Sequence, residues 1–229
     1  QRMVVPITET ILKYRDLYTV DIGYTPPREM RQNFSLNEQQ LEMMRLQNAP
    51  KAQHKIRLMN KSNYPLTTAP ALILRDGKVL AQSMMTYTSI GGEADMVVTT
   101  AVDIKVKKRD TETARVPNAE NWNGNHYARI ELAGVLSVTN FRGMPVEVEV
   151  TRNVLGNVTK AENDGAISSL NVFEADDYTA RTDYPTWWGW YNWPYWWNHF
   201  NGIGRVVWNV KLVAGKSVDL NYNWNYFWQ

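Results

Sequence analysis

The sequence contains no cysteine, which excludes both a disulfide framework and a thiolate zinc site. No apolar run approaches the ~20 residues that a membrane-spanning helix needs. The formal net charge is only +2, so the chain lacks the strong positive field that is typical of nucleic-acid-binding domains. From these absences we predict no membrane span and no nucleic-acid partner.

Motifs for catalysis and for cofactor binding are missing as well. The chain has no Gly-x-Ser-x-Gly nucleophile motif and no glycine-rich phosphate loop. Its three histidines, at positions 54, 126 and 199, share no metal-ligand spacing. The carboxylate pairs Glu147/Glu149 and Asp176/Asp177 are typical of solvated positions, whereas a glycosidase needs two carboxylates across a cleft. We expect a non-enzymatic protein with no catalytic residues, no cofactor and no metal site.

Aromatic residues, in contrast, are concentrated near the C-terminus. Nine of the ten tryptophans lie between Trp187 and Trp228, and six of them lie between Trp187 and Trp197. From Pro185 to Gly204 the chain carries no Lys, Arg, Asp or Glu. An uncharged aromatic stretch of this density favours burial, because large exposed apolar patches on monomers mark interaction sites.

Three interpretations of the aromatic stretch are open. It folds over its own β layers, it docks against a second copy of the chain, or it binds carbohydrate by stacking rings on sugar faces. We expect self-association into a homo-oligomer, or into a filament if the contact does not close, and exposed strand edges are a second means of contact. The alternative function is a carbohydrate-binding module with polysaccharide as its partner. The predicted interface residues are Trp187, Trp188, Trp190, Tyr191, Trp193, Tyr195, Trp196, Trp197 and Phe200.

The end of the chain shows the strongest strand pattern. Between Ser217 and Trp228, alternate positions are apolar, which predicts a strand with one buried face: Val218, Leu220, Tyr222, Trp224, Tyr226 and Trp228. The preceding stretch Arg205–Leu212 predicts a second strand. The short connection Ala214-Gly215-Lys216 indicates that the two form a hairpin.

Most of the remaining sequence also predicts strands. Asp76-Gly77 indicates a tight hairpin turn, and the other stretches are separated by polar or glycine-containing turns. The predicted strands are His54–Met59, Ala71–Leu74, Lys78–Gln82, Met96–Lys107, Tyr127–Thr139 and Val146–Thr151. The fold class that we predict is mainly β, an antiparallel β-sandwich that is immunoglobulin-like in the broad sense.

Residues 1–50 are predicted to form an N-terminal extension to a sandwich domain of residues 51–229. The extension contains a strand at Thr10–Ile22 and one short helix at Leu36–Gln47, which begins with the capping-box spacing of Ser35 and Glu38. Asn157–Thr182 is expected to be a long connection that leads into an aromatic insertion at residues 184–200. Because the chain begins with Gln1, we expect it to be a processed or excised product.

Several blocks of sequence resemble a known family. They are Tyr64–Ala71, Arg75–Lys78, Tyr87-Thr88 with Gly91–Glu93, Ala101–Val106, Val138–Asn140 with Pro145–Val148, Trp208–Leu212, Gly215 and Tyr222–Trp224. In this order they resemble the C-terminal β domain of bacterial proteins related to mucoidy inhibitor A. The resemblance covers about Lys51–Asn157 and Arg205–Trp228, and it implies a β-sandwich in an exported or cell-envelope setting. It implies no catalytic residues, and the aromatic insertion lies outside the resemblance.

Overall fold

The computed structural model describes residues 9–25, 27–31, 39, 42–43, 46, 49–170 and 193–229. Within these residues the protein is mainly β, as the sequence predicts. The described elements, in chain order, are β1 (Lys13–Ile22), α1 (Arg28–Arg31), β2 (Ala52–Met59), β3 (Ala69–Arg75), β4 (Lys78–Met85), β5 (Glu93–Ala101), β6 (Ile104–Trp122), β7 (Asn125–Asn140), β8 (Val146–Leu155), β9 (Asn157–Ala161), β10 (Ala166–Leu170), α2 (Tyr195–Phe200), β11 (Ile203–Leu212) and β12 (Ser217–Trp228).

The predicted N-terminal helix falls mostly on residues that the structure does not describe. Within Leu36–Gln47 only four residues are described, and all four are helical: Gln39, Glu42, Met43 and Leu46. The described helix that precedes them, α1, has four residues and was not predicted. The predicted strand at Thr10–Ile22 is confirmed by β1.

The chain divides into two units, and the first comprises residues 1–19 and 53–101. Here β1, β2 and β5 are neighbours in one sheet, and β3 and β4 form a two-stranded sheet. Asp76 and Gly77 have φ angles of 51° and 73° at the β3–β4 turn, which confirms the predicted hairpin. The core of this unit is formed by Ile56, Ile73 and Met96, with Leu58, Ala71, Ala81, Met85 and Val98 packed around them.

The second unit comprises residues 20–52 and 102–229. One of its strand sets has the order β10-β11-β8-β1, and the other has the order β6-β7-β12-β9. The predicted alternation of β12 is confirmed, since Leu220, Tyr222, Trp224 and Tyr226 are buried. The most deeply buried side chains also include Trp208, Ile130, Leu136, Val138, Val150 and Val154.

The predicted C-terminal hairpin is wrong. β11 pairs with β8 and β10, whereas β12 pairs with β7 and β9. The two strands therefore belong to different sheets, and the Trp208 and Tyr222 rings are in contact at a centroid distance of 6.0 Å. The short turn between them therefore connects two sheets.

Two other sequence predictions need correction. Met96–Lys107 is not one strand, because the chain turns at Val102 and Asp103, and Val102 is 83% exposed. Asn157–Thr182 is not a connection throughout, because it contains β9 and β10. The turn between these strands has positive φ at Asn163 and Asp164. Such short strands, at the ends of their sheets, carry too little alternation to be recognised from sequence.

Candidate functional site

The structure places the predicted interface residues in two groups. Trp187, Trp188, Trp190 and Tyr191 lie outside the described residues. The remaining five belong to or adjoin α2, which follows Pro194 and ends at Phe200. Pro194 is the residue before the helix, a position that suits its fixed φ, here −66°.

The helix α2 packs against the end of β12. Trp197 is 1% exposed, and its ring lies 5.7 Å from that of Trp228 and 6.2 Å from that of Tyr226. Trp193 covers the same ring at 4.9 Å. A side chain this deeply buried packs within its own chain, so Trp197 is unavailable to a partner or to a sugar.

Two other predicted residues are half-buried on the same surface. Trp196 contacts Tyr127 of β7 at 5.3 Å and Trp228 at 5.7 Å. Phe200 contacts Tyr127 at 4.8 Å and Phe227 at 5.4 Å. The described half of the aromatic stretch therefore covers its own β strands, which is the first of the three interpretations that the sequence left open.

Two asparagines fasten the end of α2 to neighbouring strands. Asn201 is 3% exposed; its Nδ2 donates to the Phe227 carbonyl at 3.1 Å and its Oδ1 accepts from the Phe227 N–H at 2.7 Å. Asn157 likewise donates from Nδ2 to the Phe200 carbonyl and accepts at Oδ1 from the Gly202 N–H, each at 3.0 Å. These amides explain how asparagine is compatible with an aromatic core, because each satisfies a backbone donor and acceptor.

The outer side of α2 carries a second, more open aromatic group. Tyr195 is 63% exposed and stacks on Trp122 at 5.8 Å. His199 stacks on the same indole at 4.7 Å. Of the five described interface residues, Tyr195 is the one most accessible to a partner.

A buried ionic network lies beneath β12, and nothing in the sequence predicted it. Arg152 of β8 is completely buried; its Nη2 donates to Asp110 Oδ2 at 3.1 Å and its Nη1 donates to the Gly23 carbonyl at 2.8 Å. The Tyr222 hydroxyl donates to Asp110 Oδ1 at 2.6 Å and accepts from Arg152 Nε at 2.9 Å. A buried charge needs a partner of this kind, because removing one member leaves the other uncompensated.

The network depends on a glycine in the neighbouring strand. Gly134 of β7 is the register partner of Tyr222, and a Cβ added at Gly134 would lie 2.1 Å from the Tyr222 ring carbon Cζ. Only a residue without a side chain leaves room for this ring. The close approach explains why a glycine occupies the middle of an otherwise regular strand.

A shallow pocket of about 220 Å³ adjoins this network. Its lining residues are Thr25, Pro27, Arg28, Asp110, Glu112, Leu132, Trp224 and Tyr226. Burial raises the pKa of Asp110, but Arg152 and the Tyr222 hydroxyl outweigh it, so the pKa lies below its usual value. Hydrogen bonding from Arg115 lowers the pKa of Glu112, and burial together with Glu29 raises the pKa of Tyr226. These three groups are held away from the neutral range in which a general acid or base works best.

A different surface stands out in the first unit. The pairs Leu72–Gln82 and Pro70–Met84 place these side chains on one face of the β3–β4 hairpin, while Ile73 and Ala81 point to the core. A register shift after Ile73 turns both Val79 and Leu80 outward. We call this surface the outer hairpin face; its exposed apolar residues are Leu72 (58%), Leu74 (56%), Val79 (63%), Leu80 (44%) and Met84 (54%).

The sequence did contain a signal for the outer hairpin face. Ala71-Leu72-Ile73-Leu74 is apolar at four successive positions, which is typical of a strand that is covered on both faces. The structure covers only one of them. The aromatic stretch gave the stronger prediction because it is dense in tryptophan and carries no charge from Pro185 to Gly204.

The described histidines and acidic residues do not form a metal centre. His54 contacts Asp16 at 2.6 Å, His199 lies on Trp122, and Glu147 pairs with Lys211 at 3.3 Å. No group of three potential metal ligands is found among the described residues.

Among the described residues, no helix combines the length and the apolar character of a membrane span. Comparison of the chain with family models, curated proteins and solved structures returned no match.

Proposed function

We propose that this chain is a non-enzymatic structural protein that self-associates, and that the outer hairpin face is a principal contact between copies. The observation that carries the proposal is the exposure of five large apolar side chains on one side of a two-stranded sheet whose other side is core. Exposed apolar surface of this kind is costly on an isolated subunit and marks an interaction site.

The charge distribution favours a second copy of the chain as the partner that binds the outer hairpin face. From Ser62 to Gly92 the only charged residues are Arg75, Asp76 and Lys78, and all three lie at or beside the hairpin turn. The face itself therefore presents no charge pattern that would select a different protein. Two copies packed antiparallel about a two-fold axis place their charged tips at opposite ends, so that like charges stay apart.

The size of the face is sufficient for a weak to moderate interface. Five half-exposed aliphatic side chains on each copy, together with Pro70 and Gln82, would remove roughly 1,000 Å² of total surface, near the lower limit of specific interfaces. This area is consistent with association that depends on protein concentration. The predicted contribution of Trp187, Trp188 and Trp190 adds to it in our proposal, and a head-to-tail contact there would extend dimers into filaments.

The absence of catalysis is part of the proposal and is supported by the ionisation of the buried groups. The carboxyl of Asp110 has a lowered pKa, and the hydroxyl of Tyr222 has a raised pKa because it is buried. Both are fixed by hydrogen bonds to each other and to Arg152. Loss of one member of this arrangement leaves the other buried without its partner, and proton transfer near neutral pH would have to disturb these bonds.

Two finer features belong to the same proposal. We propose that the strand sets of the second unit form a two-layer β-sandwich, which the contact between Trp208 and Tyr222 supports. We also propose an exported, cell-surface or periplasmic, setting. That setting rests on the family resemblance of the strand blocks.

Sedimentation velocity over a series of protein concentrations tests the function. We expect the wild-type chain to sediment faster as its concentration rises, and a variant with Leu72→Gln and Met84→Gln to associate less than the wild type at every concentration. The matched control is Val102→Gln with Val213→Gln, since these valines are also exposed, at 83% and 61%, and belong to the second unit. A wild-type chain that is monomeric at every concentration overturns the proposal.

A second variant separates the two proposed contacts. Trp187→Ser, Trp188→Ser and Trp190→Ser together remove the upstream part of the aromatic stretch. If this variant dimerises but forms no larger species, the hairpin makes the dimer and the aromatic stretch extends it. If it is monomeric while the hairpin variant associates normally, the outer hairpin face is not the contact.

A further inference from the structure

A row of cationic side chains runs along the outer side of β6. Burial alternates from Ile104 to Arg109, so that Lys105, Lys107 and Arg109 point outward and Val106 and Lys108 point inward. Alternate residues of a strand are about 7 Å apart, so the three charges are evenly spaced along a line. We call Lys105, Lys107 and Arg109 the basic row.

The basic row differs from its inward neighbour in having no counter-charge. Lys108 donates to the Thr25 hydroxyl at 2.6 Å and lies 3.6 Å from Asp110. Among the described residues, no carboxylate lies within ion-pair distance of the basic row. The outward position that follows on β6 is Thr111, so the line from 105 to 111 carries no acidic residue on this side.

The neighbouring strands supply polar side chains beside the row. Thr139 and Ser137 of β7 are the register partners of Lys105 and Lys107, and beyond them lie Ser217 and Asp219 of β12. Asp219 accepts a hydrogen bond from Ser137, and Thr139 and Ser217 are hydrogen-bonded at 2.8 Å. Each Ser or Thr hydroxyl has one donor and two acceptor positions, so it can also bond to the hydroxyl of a sugar.

An exposed aromatic ring lies at one end of the row. Phe141 is 60% exposed, and Lys105 Nζ lies 5.4 Å from the centroid of its ring. Lys216, which is also exposed, is next to this end because its carbonyl accepts from the Asn140 N–H at 2.9 Å. The surface thus combines a line of cations, one apolar ring, the Asp219 carboxylate that Ser137 bonds, and the hydroxyls of Ser137, Thr139 and Ser217, which we call the Ser/Thr bed.

We propose that the basic row and its Ser/Thr bed bind an acidic polysaccharide, a chain that bears carboxylate or sulfate groups. The cations pair with successive acidic groups, the hydroxyls bond to sugar hydroxyls, and the Phe141 ring lies against one sugar face. The proposed site shares no residue with the outer hairpin face or with the aromatic stretch, so it is tested independently of self-association.

Nucleic acid fits the same surface less well. Sheets that bind single-stranded nucleic acid use several aromatic side chains as stacking platforms. On this surface the described aromatic ring is Phe141 alone. The net charge of the whole chain is only +2, which is low for a domain whose affinity comes mainly from phosphate contacts.

Affinity chromatography with graded salt tests the site. The matrices are immobilised heparin, which is sulfated, immobilised polygalacturonate, which carries carboxylates, and neutral dextran as a blank. We expect the wild-type chain to be retained by at least one acidic matrix and to pass through dextran. The test variant is Lys105→Gln, Lys107→Gln and Arg109→Gln, which changes exposed residues only and should preserve the fold.

A control variant with the same change in charge makes the test specific. Lys160→Gln, Arg205→Gln and Lys211→Gln also removes three exposed cations, all outside the basic row. We expect the test variant to bind the free polysaccharide roughly ten-fold more weakly at low salt, since each exposed ionic contact contributes little, and the control to bind as the wild type does.

Three results would overturn the inference. They are no retention of the wild-type chain on either acidic matrix, equal losses in the test and control variants, and tighter binding of a single-stranded oligothymidylate than of either polysaccharide. Retention on heparin alone or on polygalacturonate alone identifies sulfate or carboxylate as the preferred group.

Discussion

Arg152 donates a hydrogen bond from Nε to the hydroxyl of Tyr222 at 2.9 Å, and the two side chains are 0% and 1% exposed. Arg152 belongs to β8 and Tyr222 to β12, so this bond joins two sheets of the second unit. Asp110 of β6 closes the triangle by contacting both. One buried charged cluster therefore links β6, β8 and β12 inside this unit.

Removal of the counter-charge should be strongly destabilising. We expect Asp110→Asn to lower the free energy of unfolding by about 3–5 kcal/mol, because Arg152 is left buried without a carboxylate. Urea denaturation followed by tryptophan fluorescence measures this. Glu120→Gln, at an exposed position of β6, is the control and should change stability by less than about 0.5 kcal/mol. Equal effects of the two substitutions would contradict a structural role for the network.

The same carboxylate predicts a dependence of stability on pH. Burial raises the pKa of Asp110, but the opposing effects of Arg152 and Tyr222 leave it below the ordinary value of 3.8. The ionised form therefore stabilises the folded state above about pH 4, and this contribution is lost as the pH falls through the folded-state pKa. We expect the stability difference between wild type and Asp110→Asn to be constant from about pH 5 to 7 and to shrink below pH 4. A difference that is unchanged from pH 7 down to pH 2.5 would show that folding does not lower the pKa of Asp110.

Gly134 provides a steric test of the same region. An added methyl group at this position overlaps the Tyr222 ring, so we expect Gly134→Ala to cost roughly 2–4 kcal/mol. Gly143→Ala is the matched control, because a Cβ there meets no atom within 4 Å. The melting temperatures of the two variants, measured by circular dichroism, test this difference. If Gly134→Ala melts at the wild-type temperature, the ring does not occupy this place.

The attachment of α2 to β12 depends on Asn201. We expect Asn201→Ala to cost about 2–3 kcal/mol, since it leaves the Phe227 N–H and carbonyl without their partner in a buried place. The tryptophan emission should also shift to longer wavelength as Trp197 becomes hydrated. Asn209→Ala, on the exposed side of β11, serves as control and should leave both measurements unchanged.

The sequence predicted the strands better than it predicted their partners. The alternation in β12 revealed which side chains are buried, because a strand has a period of two residues. It could not reveal that β11 lies in another sheet, since alternation specifies a face and leaves the neighbouring strand open. The turn residues Asp76 and Gly77 did specify a hairpin, because their positive φ angles impose the geometry locally.

The candidate sites were only partly predictable for a related reason. Asp110, Arg152 and Tyr222 are far apart in sequence, and a single Arg in a strand that also carries Glu147, Glu149 and Asn153 gives no indication of its partner. The fate of Trp197 was uncertain because aromatic rings are equally suited to a core and to an interface. In the structure Trp197 belongs to the core, and the bond from Asn201 to the Phe227 backbone holds the end of α2 against β12.

The most direct test of self-association uses the absence of cysteine from the chain. Single substitutions Leu72→Cys and Met84→Cys on the outer hairpin face, and Val102→Cys and Val213→Cys elsewhere, are each treated with a short thiol-specific bismaleimide. We expect covalent dimers from the two face variants and little product from the two controls, as measured by denaturing gel electrophoresis. Equal yields at all four positions, or no dimer at Leu72 and Met84, would contradict the proposed contact between copies.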